Sequence, residues 1–320
     1  MVSKKRKKKS KMKMILMFPS MVIIAVLIYK LIFIPRAWSL SEKSSYDKTA
    51  PVPFYNSVSI PSDSLQSTHA ILIRLDDHTV MMEKKSEEKI YPASLTKIMT
   101  AIVAIENLPN LQEKVKLSNS MFKNLYSANA SMAGFQADEK VRAIDLLYGV
   151  MLPSGAECCI GLADEIAGSE QKFTGLMNQK AADLGMNNTH FENTTGLHDE
   201  NHYTTVKDLA ILLSYALEND TFREIFTSSR HTSQSTNKHP DGITFYSTMF
   251  KNLDTPNVID GKILGGKTGY TDMAGLCLAS LAKVGEEEYV LITAGANGDS
   301  RSEQFNISDA LTVYNSLGEE

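Results

Sequence analysis

Two short clusters in this chain combine residue types that do nucleophilic chemistry. In Ser94-Leu95-Thr96-Lys97 a hydroxyl and an amine stand three residues apart. On a helix that spacing places both on one face, so their polar ends can meet. Some 170 residues later, Lys267-Thr268-Gly269 occurs once, inside the run Ile263-Leu-Gly-Gly-Lys-Thr-Gly-Tyr-Thr-Asp272. The first cluster supplies a nucleophile with its own base. The second supplies a cationic strand able to receive a peptide carboxylate.

Ser-x-x-Lys alone has little weight, because it begins at Ser10, Ser45, Ser86, Ser94, Ser120, Ser169, Ser235 and Ser280. Only Ser94 has a fitting context. Tyr91-Pro92-Ala93 reads as a turn, since proline disfavours helix in the residue before it. Leu95, Ile98, Met99, Ile102, Val103 and Ile105 then describe a strongly apolar helix through Glu106. An apolar helix buries the face that carries Lys97, and burial is what lets a lysine lose its proton near neutral pH.

The elements that must position these clusters fall in a definite order. His69 to Arg74 and Thr79 to Lys84 read as a hairpin around Asp76-Asp77-His78. Helices are expected from Ser94, over Val141 to Val150, Ala156 to Ala167, Lys172 to Leu184, and Thr205 to Glu218, the last with Thr205 as cap. Leu264 to Thr268, Ala274 to Lys283 and Glu288 to Ala294 read as successive strands, the last two joined around Gly285, and an amphipathic helix closes the chain from about Ser302 to Ser316. Early strands, middle helices and late strands imply an α+β domain whose one sheet is assembled from both ends of the chain.

The bulk composition, 43% hydrophobic and 22% charged, is that of a globular protein. Its net charge of −4 hides a division: residues 1–36 hold ten Lys/Arg and no acid, leaving 23 basic against 37 acidic residues, a net of −14, for the remainder. An acidic body argues against a nucleic-acid partner. The basic residues from Lys4 to Lys13 precede an apolar run from Met14 to Tyr29 that resumes after Lys30 through Ile34. About 20 helical residues cross a bilayer, and the positive flank keeps the N-terminus cytoplasmic and the rest outside. A cleaved signal peptide also fits the basic flank. The length of the run and the lack of a small-x-small site favour a retained anchor. Residues 1–38 are therefore expected to be tail and anchor, 39–67 a Ser- and Pro-rich linker, and 68–320 the catalytic domain.

Three cysteines cannot form a fully paired framework. Cys158, Cys159 and Cys277 read as buried small side chains, with a Cys277 bridge to either neighbour left open. No Cys/His spacing fits a metal site.

A third polar element should lie between the two clusters, and Ser154-Gly155-Ala156 is the candidate in a fitting context. At this point the chain resembles the serine-type D-alanyl-D-alanine carboxypeptidases, low-molecular-mass penicillin-binding proteins of peptidase family S11, over about residues 69–315. The resemblance rests on Tyr91-Pro-Ala-Ser-Leu-Thr-Lys97, Asp145-Leu-Leu-Tyr-Gly-Val-Met-Leu-Pro-Ser-Gly155, Asn188-Thr-His-Phe-Glu-Asn-Thr-Thr-Gly-Leu197 with His202-Tyr-Thr-Thr205, and Lys267-Thr-Gly-Tyr-Thr271.

The resemblance implies a β-lactamase/transpeptidase-like fold, with an antiparallel sheet of about five strands flanked by helices and a helical subdomain. It implies that Ser94 attacks the carbonyl between two D-alanines of a peptidoglycan stem pentapeptide and forms an acyl-enzyme, that Lys97 takes the hydroxyl proton, and that Ser154 returns it to the leaving nitrogen. The Ser94 and Tyr270 N–H groups would form the oxyanion hole, Lys267 and Thr268 would hold the terminal carboxylate, and Gly269 would keep the strand clear for a peptide added along it. Stem peptides and β-lactams are the implied partners, with no metal or organic cofactor.

The chain departs from the family pattern at Ala156, where an Asn is usual; another polar group such as Asn129 could cover the loss. Glu157 is read as structural, and His190, His198 and His202 as members of a structural loop. Asn129 and Asn193 stand open between structural and cleft-lining roles. Two other readings compete: a catalytically impaired wall-binding protein, signalled by Ala156, and a β-lactamase, which requires a well-placed deacylating base.

Overall fold

The structure is a computed structural model and describes residues 62–299 and 301–318. The expected anchor and most of the expected linker lie outside the described residues. The linker's last residues are held against the body: the N–H groups of Gln66 and Ser67 donate to the Asp309 carboxylate at 2.9 and 2.7 Å.

One antiparallel sheet runs in the order β2-β1-β10-β9-β8-β7. It comprises β1 (His69–Arg74), β2 (Val80–Lys84), β7 (Asn257–Val258), β8 (Gly261–Thr271), β9 (Gly275–Val284) and β10 (Glu287–Ala296). Strands from the start of the chain thus pair with strands from its end, through β1 against β10. The strand period of two sorts the side chains onto opposite faces. Leu72, Leu278, Ala282 and Leu291 pack beneath Ile307, Ala310 and Tyr314 of the closing helix Phe305–Gly318. Ile71, Ile73, Cys277, Ala279, Leu281, Val290 and Ile292 face the larger core with the remaining helices.

The helices in front of the sheet are α1 (Thr96–Asn107), α2 (Asn119–Ser127), α3 (Ala143–Met151), α4 (Ala156–Ala167), α5 (Glu170–Asp183), α6 (Val206–Leu217), α7 (Asp220–Thr227) and the short α8 (Thr248–Lys251); Phe305–Gly318 is α9. Every residue of α1 from Thr96 to Ala104 is buried, and its sequence is accordingly apolar apart from Thr96, Lys97 and Thr100. Each of its larger apolar side chains contributes about 1.5–3 kcal/mol by leaving water. Thr205 caps α6 as expected, its hydroxyl accepting from the Asp208 N–H at 3.0 Å, worth about 1 kcal/mol.

The α+β architecture is the expected one, and local departures have physical causes. Helix was expected from Val141, but Lys140–Arg142 forms strand β4 against β3 (Lys114–Lys116), with Val141 opposite Val115 and both buried. The ladder satisfies backbone groups that the helix start would leave bare. Ser94 lies in a 3-10 turn, Ala93–Leu95, that feeds α1 rather than in the α-helix itself. Two short strands, β5 (Arg230–Thr232) and β6 (Thr244–Tyr246), form a hairpin that apolar periodicity did not reveal.

β7 pairs only with Gly261 and Lys262. Among the described residues, the rest of β8, including Lys267 to Thr271, therefore has β9 on one side and no strand on the other, an edge able to accept an extended peptide.

Candidate active site

Along that edge runs a cleft of about 780 Å³, walled by Ser94, Ser154, Thr268, Gly269 and Tyr270 among others. Its floor is built by the start of α1. Ala93 is held at φ +47°, a left-handed conformation uncommon for a residue with a side chain. Two contacts enforce it. Thr96 Oγ1 donates to the Ala93 carbonyl at 2.8 Å. Gly196 packs so closely that a Cβ there would stand 1.8 Å from the same oxygen. The strained turn sets Ser94 half-exposed at the head of a buried helix.

Lys97 Nζ lies 3.1 Å from Ser94 Oγ and donates to the Thr195 carbonyl at 2.5 Å. The side chain is almost wholly buried, and that burial pushes its pKa below the ordinary lysine value. On losing a proton, the amine would keep an N–H for Thr195 and could turn its lone pair to the Ser94 hydroxyl. Such a pair can activate a serine.

A second serine–lysine pair stands opposite. Ser154 follows Pro153 between α3 and α4 and takes φ +67°. Lys267 Nζ donates to Ser154 Oγ at 3.0 Å and to the Thr268 carbonyl at 2.8 Å. Lys267 is fully buried, and burial first, then the charge of Lys97, drives its pKa well down. The expected carboxylate-binding pair is thus divided: Thr268 reaches the cleft wall, while Lys267 lies behind it. Gly269 is where β8 passes the Ser94 turn, a Cβ there standing 3.1 Å from the Ser94 nitrogen. The Tyr270 hydroxyl turns outward and donates to Asp272 at 2.7 Å.

The loop after Asn188 supports the first pair. Asn193 Oδ1 accepts from the N–H groups of Thr195 and Gly196 at 3.1 and 2.7 Å, which aims the Thr195 carbonyl at Lys97; Asn193 is structural. His202 is buried and bonded to Thr96 Oγ1 at 2.8 Å, and burial lowers its pKa to about 4. His190 meets Glu192, and His198 stacks edge-on against Tyr91. The three histidines therefore serve three separate contacts. The thiols of Cys158, Cys159 and Cys277 are free and buried, and burial pushes those of Cys159 and Cys277 up to about 12.

Ala156 is buried in the first turn of α4, and its N–H donates to the Ser131 carbonyl at 2.8 Å. Beside it, Glu157 Oε1 accepts from three successive N–H groups, those of Ala133, Gly134 and Phe135, at 2.8, 2.9 and 3.2 Å. Burial raises the Glu157 pKa, and the residue faces the loop rather than the cleft, a structural part. Asn129, in contrast, lines the cleft. Sequence reasoning did not find Thr248, whose hydroxyl lies 2.6 Å from that of Thr268 on the same wall. The Ser247 cap before it was the available signal.

Two buried-lysine–serine pairs at the open edge of an antiparallel sheet, with a helical layer in front, make an arrangement able to perform serine acyl transfer. The profile of the D-alanyl-D-alanine carboxypeptidase family, peptidase S11, matches residues 55–298. The chain belongs to this family. It is 32% identical over 239 residues to the D-alanyl-D-alanine carboxypeptidase DacF of Bacillus subtilis (strain 168), covering 72% of this chain and 58% of that one. To DacC of Escherichia coli (strain K12) it is 31% identical over 275 residues, 83% of this chain and 65% of that one. It thus spans less than two thirds of both relatives. The crystal structure of the Streptomyces K15 DD-transpeptidase superposes with a TM-score of 0.70 at 28% identity, covering 79% of this chain and 97% of that chain.

Proposed function

We propose that the protein is a serine D,D-carboxypeptidase that removes the terminal D-alanine from peptidoglycan stem pentapeptides and is acylated by penicillin. The observation that carries this reading is the Ser94–Lys97 pair beside the free edge of β8, with Ser154 and Lys267 facing it. The peptide lies along Thr268 to Thr271 as an added strand. Lys97 takes the Ser94 proton as Oγ attacks the penultimate D-alanine carbonyl, and the N–H groups of Ser94 and Tyr270 receive the oxyanion. One such donor contributes about 3–4 kcal/mol. Ser154 passes the proton to the departing nitrogen, and D-alanine leaves. Water then cleaves the ester. Thr268 meets the substrate carboxylate, and Lys267 acts from behind through its bond to Ser154.

The test uses residues 39–320 and the Ser94→Ala variant, with a fluorescent penicillin and a D-Ala-D-Ala-terminated pentapeptide. Stable labelling and D-alanine release, both lost in the variant, support the proposal. Rapid loss of label with antibiotic turnover indicates a β-lactamase. Labelling without release indicates that Ala156 has moved the substrate range elsewhere, and the absence of both signals favours the wall-binding reading that Ala156 suggests.

The basic cluster and the apolar run from Met14 support a single-pass membrane anchor with the catalytic domain outside the cytoplasm. Among the described residues no helix is long and apolar enough to cross a membrane. Protease treatment of intact cells that removes the 39–320 region while sparing cytoplasmic proteins supports this placement; complete protection overturns it.

A further inference from the structure

Ala128, Asn129 and Ser131 line the cleft together with residues of β8, in a loop anchored at several points. At its start the N–H groups of Asn129 and Ala130 bond the Tyr126 and Leu125 carbonyls at the end of α2. At its middle the Ser131 carbonyl takes the Ala156 N–H at 2.8 Å. Just beyond it the buried Glu157 carboxyl collects the three N–H groups of Ala133 to Phe135. Within this frame Asn129 takes φ +50°, a conformation Asn tolerates better than other side-chain-bearing residues. The residue is exposed and lines the cleft with Ser94 and Ser154.

A peptide added to β8 pairs one of its edges with the strand. The N–H and C=O groups of its other edge face the Ala128–Ser131 wall and lose water as the cleft fills. Each buried polar group left unpaired weakens binding, because its lost bonds to water are not replaced. A carboxamide is the one neutral side chain that offers an acceptor and two donors together, matching a peptide unit. The geometry points to Asn129 as a substrate-contacting residue that pairs with the peptide bond preceding the penultimate D-alanine, held in place by Glu157 as a positioning residue. The assignment rests on the D,D-carboxypeptidase reading.

The test compares Asn129→Gly with the parent, because glycine keeps the left-handed backbone while deleting the amide. D-alanine release is followed from an acyl-L-Lys-D-Ala-D-Ala peptide and from an analogue in which the Lys–D-Ala amide is an ester, lacking the N–H. Asn129→Gly is expected to lower kcat/KM at least tenfold on the amide peptide and less than threefold on the ester, at unchanged melting temperature. Equal losses on both substrates, or none on the amide, overturn the assignment. A parent enzyme that releases no D-alanine overturns the carboxypeptidase reading and this assignment with it, a distinct outcome. A Glu157→Gln variant that keeps the fold but shows the same selective loss on the amide supports the positioning role; parental selectivity in it removes Glu157 from the scheme.

Discussion

Lys267 and Ser154 are 113 residues apart in sequence and meet through a 3.0 Å hydrogen bond from Nζ to Oγ. The bond joins the sheet to the helical layer at the back of the cleft, between a fully buried amine and a serine in a left-handed conformation. Burying an amine and straining Ser154 both oppose folding, the strain by about 1–3 kcal/mol. Stability alone gives no reason to keep either. Lys267→Met, similar in length and apolar, is therefore expected to melt at or above the parental temperature. Its penicillin acylation rate should fall at least 100-fold, about 2.7 kcal/mol in the barrier. Stopped-flow acylation beside thermal unfolding checks both halves, and an unimpaired rate would sink the role given to Lys267.

Gly196 holds the turn before the nucleophile by leaving room for it. A Cβ at this position would stand 1.8 Å from the Ala93 carbonyl oxygen, and its own φ is +79°. Gly196→Ala must therefore push Ala93 and Ser94 away from Lys97. A destabilisation of about 2–4 kcal/mol is expected, from clash and backbone strain together. Urea unfolding measures the first effect, and slower labelling of the remaining folded protein by fluorescent penicillin measures the second.

His202 makes the same turn sensitive to acid. The Glu192 N–H donates to Nδ1 at 3.2 Å, so Nε2 carries the proton toward Thr96 Oγ1, whose own hydroxyl donates to Ala93. Protonating Nδ1 would set an N–H against an N–H. Burial accordingly lowers the folded pKa to about 4 from 6.5. Because the folded value is the depressed one, the unfolded chain binds the proton first as pH falls. The neutral imidazole's stabilisation is present above about pH 6.5 and is lost between there and pH 4, to the extent of about 3 kcal/mol. Urea midpoints across that window should fall more steeply for the parent than for His202→Gln; parallel curves would exclude His202 as the cause.

These relationships show which parts of the site were legible in sequence. Ser94, Lys97, Ser154 and Lys267 were found because their chemistry is written in residue type and their setting in local pattern, an apolar helix after a proline turn and a Gly-flanked strand. The helix Ala156–Ala167 and the strand His69–Arg74 were placed to the residue, since both carry a strong apolar pattern between clear breaks. The burial of Lys267 behind the cleft wall was not legible, because it depends on how far α8 and Ser154 close over β8. Nor was the bond from Lys97 to Thr195, a backbone carbonyl that has no residue type to announce it. The strand Lys140–Arg142 was hidden for a related reason: three residues hold no period, and only the pairing of Val141 with Val115 reveals them.

Thr248 tests the least visible of these contacts. Its N–H donates to the Leu152 carbonyl at 3.1 Å, near Ser154, and its hydroxyl lies 2.6 Å from that of Thr268. Two hydroxyls share two protons, and one proton is spent between them. If Thr248 donates, Thr268 keeps its own proton free for an incoming carboxylate, and each bond polarises the next. Thr248→Val keeps the shape and removes that proton, leaving Thr268 without its partner. The loss belongs to ground-state and transition-state binding alike, so KM for the pentapeptide should rise about tenfold, some 1.4 kcal/mol, with kcat within about twofold of the parent. Thr248→Ser should restore the parental KM. A fall in kcat at constant KM would instead place the hydroxyl pair in the chemical step, at the proton transfer through Ser154 rather than at the carboxylate.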